Sequence, residues 1–430
     1  MTPGARASAA IEVLEDVAGR KRPAAEALKD WGLAHRFAGS GDRAAIGNLV
    51  FDALRGRASS AEAMGDDSPR ALVLRTLVST WKETPEAVAA LANGSGFAPA
   101  PLSAAELAGL SRELPAGAPA HIRGDYPEWL GPLFERAFGA RAAEEGAALA
   151  MRAPVDLRAN SLKTTRDKVL HALRRFEPTP TPHSPLGVRI APGSGPSRST
   201  HVEAEPGHGK GWYEVQDEGS QAATLLSGAR PKEQILDLCA GAGGKTLGLA
   251  AAMENTGQLY AYDSDRMRLR PIFERLKRAG VRNVQVLPAG DTNALAALEG
   301  KMDRVVIDAP CTGSGVWRRR PDAKWRLAQQ MLEARLADQR AVLNQGAALV
   351  KPGGRLVYVT CSVLPPENRD QVDAFIARFP GFRIVPWRPL WEEILHSAPP
   401  PSADGSAETL LMTPLSFGTD GFYVAVLESI

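Results

Sequence analysis

Two cysteines stand where reaction chemistry is usually placed. Cys311 lies in Asp308-Ala-Pro-Cys-Thr-Gly-Ser-Gly315 and Cys361 in Tyr358-Val-Thr-Cys-Ser362. Each closes an apolar run that reads as a buried strand, Arg304-Val-Val-Ile-Asp308 and Gly354-Arg-Leu-Val-Tyr-Val-Thr360. In an open α/β sheet, ligands bind at the carboxyl ends of the strands. Two thiols carried there by neighbouring strands could touch one substrate. The thiolate is the reacting form, and an unperturbed thiol has a pKa of roughly 8.5. A positive field or a helix N-terminus is therefore needed to raise its fraction near neutrality. Asp308 opens the loop that carries Cys311 and points into the same cleft. Its carboxyl could hold or protonate a nucleobase, or simply cap the turn that Pro310 and Gly313 enforce. The third cysteine, Cys239, has a context that suits a small buried hydrophobe.

A glycine-rich turn lies upstream, after a third strand: Cys239, Ala240, Gly241, Ala242, Gly243, Gly244, Lys245 and Thr246. Its glycines let the backbone approach a ligand closely, and the helix that follows offers free N–H groups. Asp263 ends the next strand about 20 residues past Gly243, where a carboxylate meets ribose hydroxyls in a nucleoside-binding βαβ unit. Asp291 follows another strand and could bond an adenine amino group or sit in a solvated loop. A Walker A loop would need glycine where Cys239 stands, and a dinucleotide fingerprint would need it at Thr246. The residues together suggest an enzyme that binds a nucleoside-containing cofactor and uses a thiolate nucleophile.

These groups must be held by the elements around them. The 430 residues predict two or three domains. With 44% hydrophobic and 23% charged residues the composition is that of a globular protein. No apolar run reaches the roughly 18 residues that cross a bilayer, and Met1 to Ala10 lacks the apolar core of a signal peptide, so a cytoplasmic location is expected. An odd three cysteines without a C-x-x-C pair, and seven histidines without ligand spacing, predict no disulfide framework and no metal. The net charge of +2 neither demands nor excludes nucleic acid; affinity for RNA would need a local basic face.

Residues 1–122 read as a helical bundle. Faces recur at Ala10, Val13, Leu14 and Val17, and at Ile46, Leu49, Val50, Ala53 and Leu54. Ser40 or Asp42 is the expected N-cap of the second face's helix, and further helices are expected near Arg70 to Trp81 and Pro85 to Leu91. Residues 123–225 read as an α+β connector, with two helices over Tyr126 to Ala150, a strand at Asp156 to Asn160, a helix at Thr165 to Phe176, loops and short strands over Pro178 to Lys210, and a strand at Trp212 to Gln216. Residues 226–430 alternate strand and helix, which predicts a parallel sheet. The expected strands are Gln234 to Leu238, Gln258 to Tyr262, Val284 to Leu287, Arg304 to Ile307 and Arg355 to Val359.

The glycine-rich turn, Asp308-Ala-Pro-Cys311 and Thr360-Cys-Ser362 closely resemble the RsmB/Sun family of RNA cytosine-5 methyltransferases. Val215-Gln-Asp-Glu-Gly-Ser220, Arg318-Arg-Arg-Pro-Asp322, Pro365-Pro-Glu-Asn368 and Gly418-Thr-Asp-Gly-Phe422 extend the resemblance over roughly 123–430. One departure stands in the turn, where Gly241 and Ala242 replace the family's usual Ala-Pro and remove a φ constraint. The helical N-terminal region resembles the NusB-type RNA-binding domain of RsmB members. The resemblance implies an α/β fold: a doubly wound, Rossmann-like class I methyltransferase domain preceded by the α+β connector and an all-α NusB-like domain. It implies S-adenosylmethionine as donor, held by Cys239, Ala240, Gly241, Ala242, Gly243, Gly244 and Lys245 with Asp263, Asp291 and Asp308. It makes Cys361 the nucleophile and gives Cys311 a part in product release, through removal of the carbon-5 proton. Asp308 would stabilise the base.

The densest basic and aromatic cluster, Trp317-Arg-Arg-Arg320 with Lys324-Trp-Arg326, follows the Pro-Cys loop. Arg318, Arg319, Arg320 and Lys324 are expected to meet RNA phosphates; Arg158 and Asn160 could serve the connector similarly. A DNA cytosine-5 methyltransferase would use the Pro-Cys thiol as nucleophile and carry Glu-Asn-Val, which this chain lacks. A non-catalytic RNA-binding assembly factor is the rival of another class. The expected partner is ribosomal RNA of the small subunit, free or assembling, with transfer RNA as the alternative, and the expected state is a monomer.

Overall fold

The computed structural model describes residues 1–197 and 200–430, so Arg198 and Ser199, within the expected loop region, lie outside the described residues. The chain divides into two compact units. One comprises Met1–Ala153, Pro192–Thr200 and Trp317–Leu327; the other comprises Pro154–Ala191, His201–Val316 and Ala328–Ile430.

The first unit is helical. Its longer helices are Pro3–Arg20, Ala24–Ala34, Ser40–Arg55, Pro69–Ser79, Gly131–Phe138 and Ala142–Ala150. Thr2, Ser68 and Thr84 each cap a helix that begins with proline, the residue best suited to a first turn. Ser103 and Glu106 form a reciprocal capping box. The two anticipated faces are buried: Ala10, Val13, Leu14, Ile46, Leu49 and Val50 share one core. Neither Ser40 nor Asp42 is the cap of the third helix, because Gly39 holds that position. Asp42 instead accepts from the Met1 amino group at 3.2 Å and from Arg6 Nε at 2.9 Å, partners that local spacing does not reveal. The N-terminal segment of this unit runs to Ala153.

The segment Trp317–Leu327 belongs to this helical core. Trp317 stacks on Phe134 with centroids 6.0 Å apart, and Trp325 Nε1 donates to Leu54 O at 2.6 Å. Lys324 is 1% exposed; its ammonium donates to Arg55 O at 2.9 Å and to Asp125 O. Burial pushes its pKa down to about 8. Lys324 therefore cannot meet an RNA phosphate, which corrects the sequence expectation. Arg318 is buried as well, while Arg319 and Arg320 are exposed.

The second unit holds both sheets. The smaller is antiparallel and contains β1 (Val155–Ala159), β2 (Thr179–Pro180), β3 (Gly187–Ile190) and β4 (Tyr213–Val215), ordered β2-β3-β1-β4. Arg158 and Asn160 at its end are also buried, which removes them as RNA contacts. Arg158 donates to Gly244 O at 3.0 Å, and Asn160 to Gly211 O and Ala279 O at 2.9 Å.

The larger sheet contains β5 (Gln234–Asp237), β6 (Gln258–Ala261), β7 (Val284–Val286), β8 (Met302–Asp308), β9 (Val350–Thr360), β10 (Phe382–Val385), β11 (Leu410–Met412) and β12 (Phe422–Ser429). Their order is β10-β12-β9-β8-β5-β6-β7, with β11 beside β12. All five anticipated strands are present and parallel. Beyond these five, β12 runs antiparallel to β9, β10 and β11. Helices cover the sheet. Ala222, Leu249, Met253 and Trp391 pack on Ile235, Leu259, Val357 and Val424. On the helix Gln329–Leu349, a Cβ at Gly346 would meet Ile307 Cδ1 at 2.7 Å, so a larger residue there would have to displace that side chain on β8. Among the described residues no helix is long and apolar enough to cross a membrane.

Replacing Lys324 with alanine leaves two carbonyls and the buried Asp125 without their cation. The expected loss is about 3 kcal/mol of stability, read as a lower urea midpoint at unchanged m-value.

Candidate active site

The site forms at the carboxyl ends of β5, β6, β8 and β9. The order of strands reverses at β5, the switch point where open sheets bind ligands. The turn after β5 contains Gly241 at φ +50° and Gly243 at φ +86°, a region that L side chains enter at a cost. A Cβ at Gly243 would lie 2.6 Å from Ile272 Cγ1, so glycine also permits the turn to pack on the helix Ile272–Ala279. The turn is anchored without the family's proline: Gly241 N donates to Asp263 Oδ2, and Arg275 Nη1 donates to Ala242 O, both at 2.9 Å. No side chain caps the helix Gly244–Ala252, so the first-turn N–H groups are left for solvent or a ligand.

Carboxylates gather around this turn. Asp263 is 2% exposed, and Oδ1 accepts from Asp265 N at 2.9 Å; each oxygen retains a lone pair. The Arg268 guanidinium lies 3.8 Å from it. Asp291 Oδ1 caps the short helix Thr292–Ala296, accepting from Asn293 N at 3.0 Å and Ala294 N at 3.1 Å. Asp237, which the sequence reading left without a role, is fully buried. It accepts from Thr246 Oγ1 at 2.7 Å, and its Oδ1 has no partner among the described residues. Burial pushes its pKa up to about 7. Burial, then Asp237, Asp263 and Asp308, push the Cys239 thiol up.

The turn and the thiols meet at Asp308. Its Oδ2 lies 2.7 Å from Lys245 Nζ, with the lysine buried and the carboxylate 38% exposed. The Lys245 ammonium also stands 5.4 Å from the Phe422 ring. Beyond Asp308, Cys311 Sγ and Cys361 Sγ are 3.3 Å apart. The hydrogen bond to Cys361, burial and the Glu367 carboxylate push the Cys311 thiol well above its ordinary range. Parallel pairing of β8 with β9 sets Asp308 beside Val359, so both loops leave the sheet at one level.

The loops are locked together by residues whose roles the sequence alone does not assign. Gly315 N donates to Cys361 O at 2.9 Å, and Gly421 N donates to Gly315 O at 2.8 Å. A Cβ on either glycine would overlap the other's backbone. Thr360 Oγ1 donates to Asn368 Oδ1 at 2.6 Å, and Asn368 Nδ2 to Ser362 O at 2.9 Å. Glu367 accepts from Thr312 and Ser362, the residues that follow the two cysteines.

Residues 223–428 match the sequence model of the family described as 16S rRNA methyltransferase RsmB/F. Residues 126–194 match an RsmF/B-like ferredoxin-like domain, inside the expected connector. The chain belongs to the RsmB/F family. The probable ribosomal RNA small subunit methyltransferase B of Synechocystis is 32% identical over 70% of this chain and 66% of its own length. The ribosomal RNA small subunit methyltransferase B of Salmonella typhi is 36% identical over 59% and 58%. The chain thus spans just under two thirds of the length of one relative and less of the other. The solved structure of a methyltransferase homolog from Pyrococcus horikoshii shares the fold over 74% of this chain and all of its own, with a TM-score of 0.60 and 26% identity.

Asp237 supplies a pH test. Unfolded, its carboxyl titrates near 4; folded, near 7. Between these values the folded state holds more protons, so this group's contribution to stability falls as pH rises. The melting temperature of Asp237→Asn relative to the parent is expected to rise steadily from pH 4 to pH 7.5. A flat difference would mean that Asp237 is already ionised in the fold.

Proposed function

We propose that the protein is an S-adenosylmethionine-dependent RNA cytosine-5 methyltransferase acting on small-subunit ribosomal RNA. The observation that carries this reading is the thiol pair 3.3 Å apart beside a carboxylate that is ion-paired to the donor turn. The family membership and the relatives' names favour methyl transfer and ribosomal RNA.

Residues 239–245 would hold the donor. The uncapped helix N-terminus suits its carboxylate, Asp263 suits its ribose hydroxyls and Asp291 its adenine. Bound there, S-adenosylmethionine supplies an electrophilic methyl group. Carbon 5 of cytosine is too poor a nucleophile until the ring is activated. Cys361 thiolate adds to carbon 6, which places enamine character on carbon 5. The Asp308–Lys245 pair would supply a proton to ring nitrogen 3 as negative charge develops there, and recover it when Cys361 leaves. After methylation, loss of the carbon-5 proton and departure of Cys361 restore the ring. Cys311, whose sulfur lies 3.3 Å from that of Cys361, would take the carbon-5 proton as Cys361 leaves. The cytosine must leave its stack to reach the cleft.

RNA contacts fall to exposed cations. Arg319 and Arg320 remain from the expected cluster. Arg266, Arg270 and Lys277 are exposed, and Phe273 among them is 58% exposed. Arg275 and Arg278 of the same stretch turn inward to Glu214. Outward cations with an exposed ring suit a phosphate backbone and a stacked base.

Bisulfite sequencing of total RNA from cells with and without the gene is expected to show one protected cytosine lost from small-subunit RNA. Loss from transfer RNA would move the substrate, and no change would remove the catalytic reading. With purified protein, Cys361→Ala is expected to lower turnover by more than about 10⁴-fold and to form no covalent adduct. Cys311→Ala is expected to accumulate one. An adduct that depends on Cys311 would reverse the two roles.

A further inference from the structure

Glu367 lies six residues beyond Cys361 and touches both thiol-bearing loops. Oε1 accepts from Thr312 N at 2.8 Å and from Gln339 Nε2 at 3.0 Å. Oε2 accepts from the hydroxyls of Thr312 and Ser362. Thr312 directly follows Cys311, and Ser362 directly follows Cys361. The same Gln339 amide also donates to Pro310 O at 2.9 Å, on the other side of Cys311. Tyr358 OH donates to Glu367 O at 2.6 Å, tying the residue back to β9. The side chain is fully buried, and among the described residues no lysine, arginine or histidine forms an ion pair with it.

A buried carboxylate without a cation is expensive, and a fold tolerates it only when dipoles satisfy it. Here four donors do so, and they come from three separate segments. An apolar side chain would fill the space without joining those segments. The carboxylate's distinctive property is that it accepts only, at both oxygens, and so draws two loops onto one point. Cys311 and Cys361 lie on either side of that point.

Resting on the methyltransferase reading above, we propose that Glu367 is a positioning residue that fixes the separation of the two thiols, so that Cys311 can release the product formed on Cys361. It touches neither base nor donor. Its loss acts on the step that needs both thiols, whereas attack by Cys361 needs only one. Glutamine keeps the shape and most of the bonds, since its amide can face the two hydroxyls, which rotate to accept. Alanine keeps none of them.

The test uses the full chain, an in vitro transcript of small-subunit ribosomal RNA and S-adenosylmethionine. It compares Glu367→Ala, Glu367→Gln and Cys311→Ala with the parent. Methyl incorporation and covalent protein–RNA adduct on a denaturing gel are measured, with donor binding by calorimetry. Glu367→Ala is expected to bind donor normally, to turn over about 100-fold more slowly, and to accumulate adduct as Cys311→Ala does. Glu367→Gln is expected to recover most turnover and clear the adduct. Loss of adduct and turnover together in Glu367→Ala, or parental values of both, would overturn the proposal. If Glu367→Ala does not fold, Thr312→Val and Gln339→Leu each remove part of the clamp; adduct accumulation in either is the expected result, and its absence in both the overturning one. A Cys311→Ala protein that forms no adduct would instead remove the methyltransferase reading on which the proposal stands.

Discussion

The parallel pairing of β8 with β9 is the constraint on which the site depends. Hydrogen-bonded neighbours in register deliver Asp308 and Val359 to one level of the sheet, and the cysteines follow within three residues on each strand. No amount of loop design could bring two thiols to 3.3 Å if the strands were separated by another or slipped by one residue, since a slip turns every side chain to the opposite face. The helix Gln329–Leu349 supports that pairing from behind through the close approach at Gly346. The loops are then trimmed by specific contacts: glycine against glycine at Gly315 and Gly421, and carboxylate against hydroxyl at Glu367.

Much of this was legible in the sequence. Apolar runs bounded by glycine and aspartate identify the five parallel strands, and the thiols stand at two of their ends. The strands that close the sheet were missed, although Phe422-Tyr-Val-Ala-Val-Leu427 is as apolar as any of them. It follows the Gly418-Thr-Asp-Gly turn directly, with no helix between to suggest alternation, and β10 and β11 are only a few residues long. Antiparallel additions of this kind pair over long distances that no local pattern encodes.

The basic cluster failed for a different reason. Lysine and arginine look alike in a sequence whether they face water or satisfy carbonyls inside a core. Lys324 does the latter, with two main-chain carbonyls and a buried aspartate around it, and Arg158 does the same beside the donor turn. Asp42 shows the converse: a residue type that caps helices is drawn off by the chain's own amino group. In each case a long-range electrostatic partner outweighed a local preference. The donor turn is likewise held by two hydrogen bonds to distant residues, one of them from the helix bearing Arg275.

The helical unit draws eleven of its residues, Trp317–Leu327, from the middle of the catalytic sequence. They supply a buried lysine and two tryptophans to its core. The unit is therefore not a cassette. Recombination at a single point near residue 153 would hand a new host a bundle without part of its core, and would leave Trp317, Lys324 and Trp325 behind without their partners. Exchange of this unit between relatives would have to carry the segment after the Cys311 loop along with the N-terminal residues.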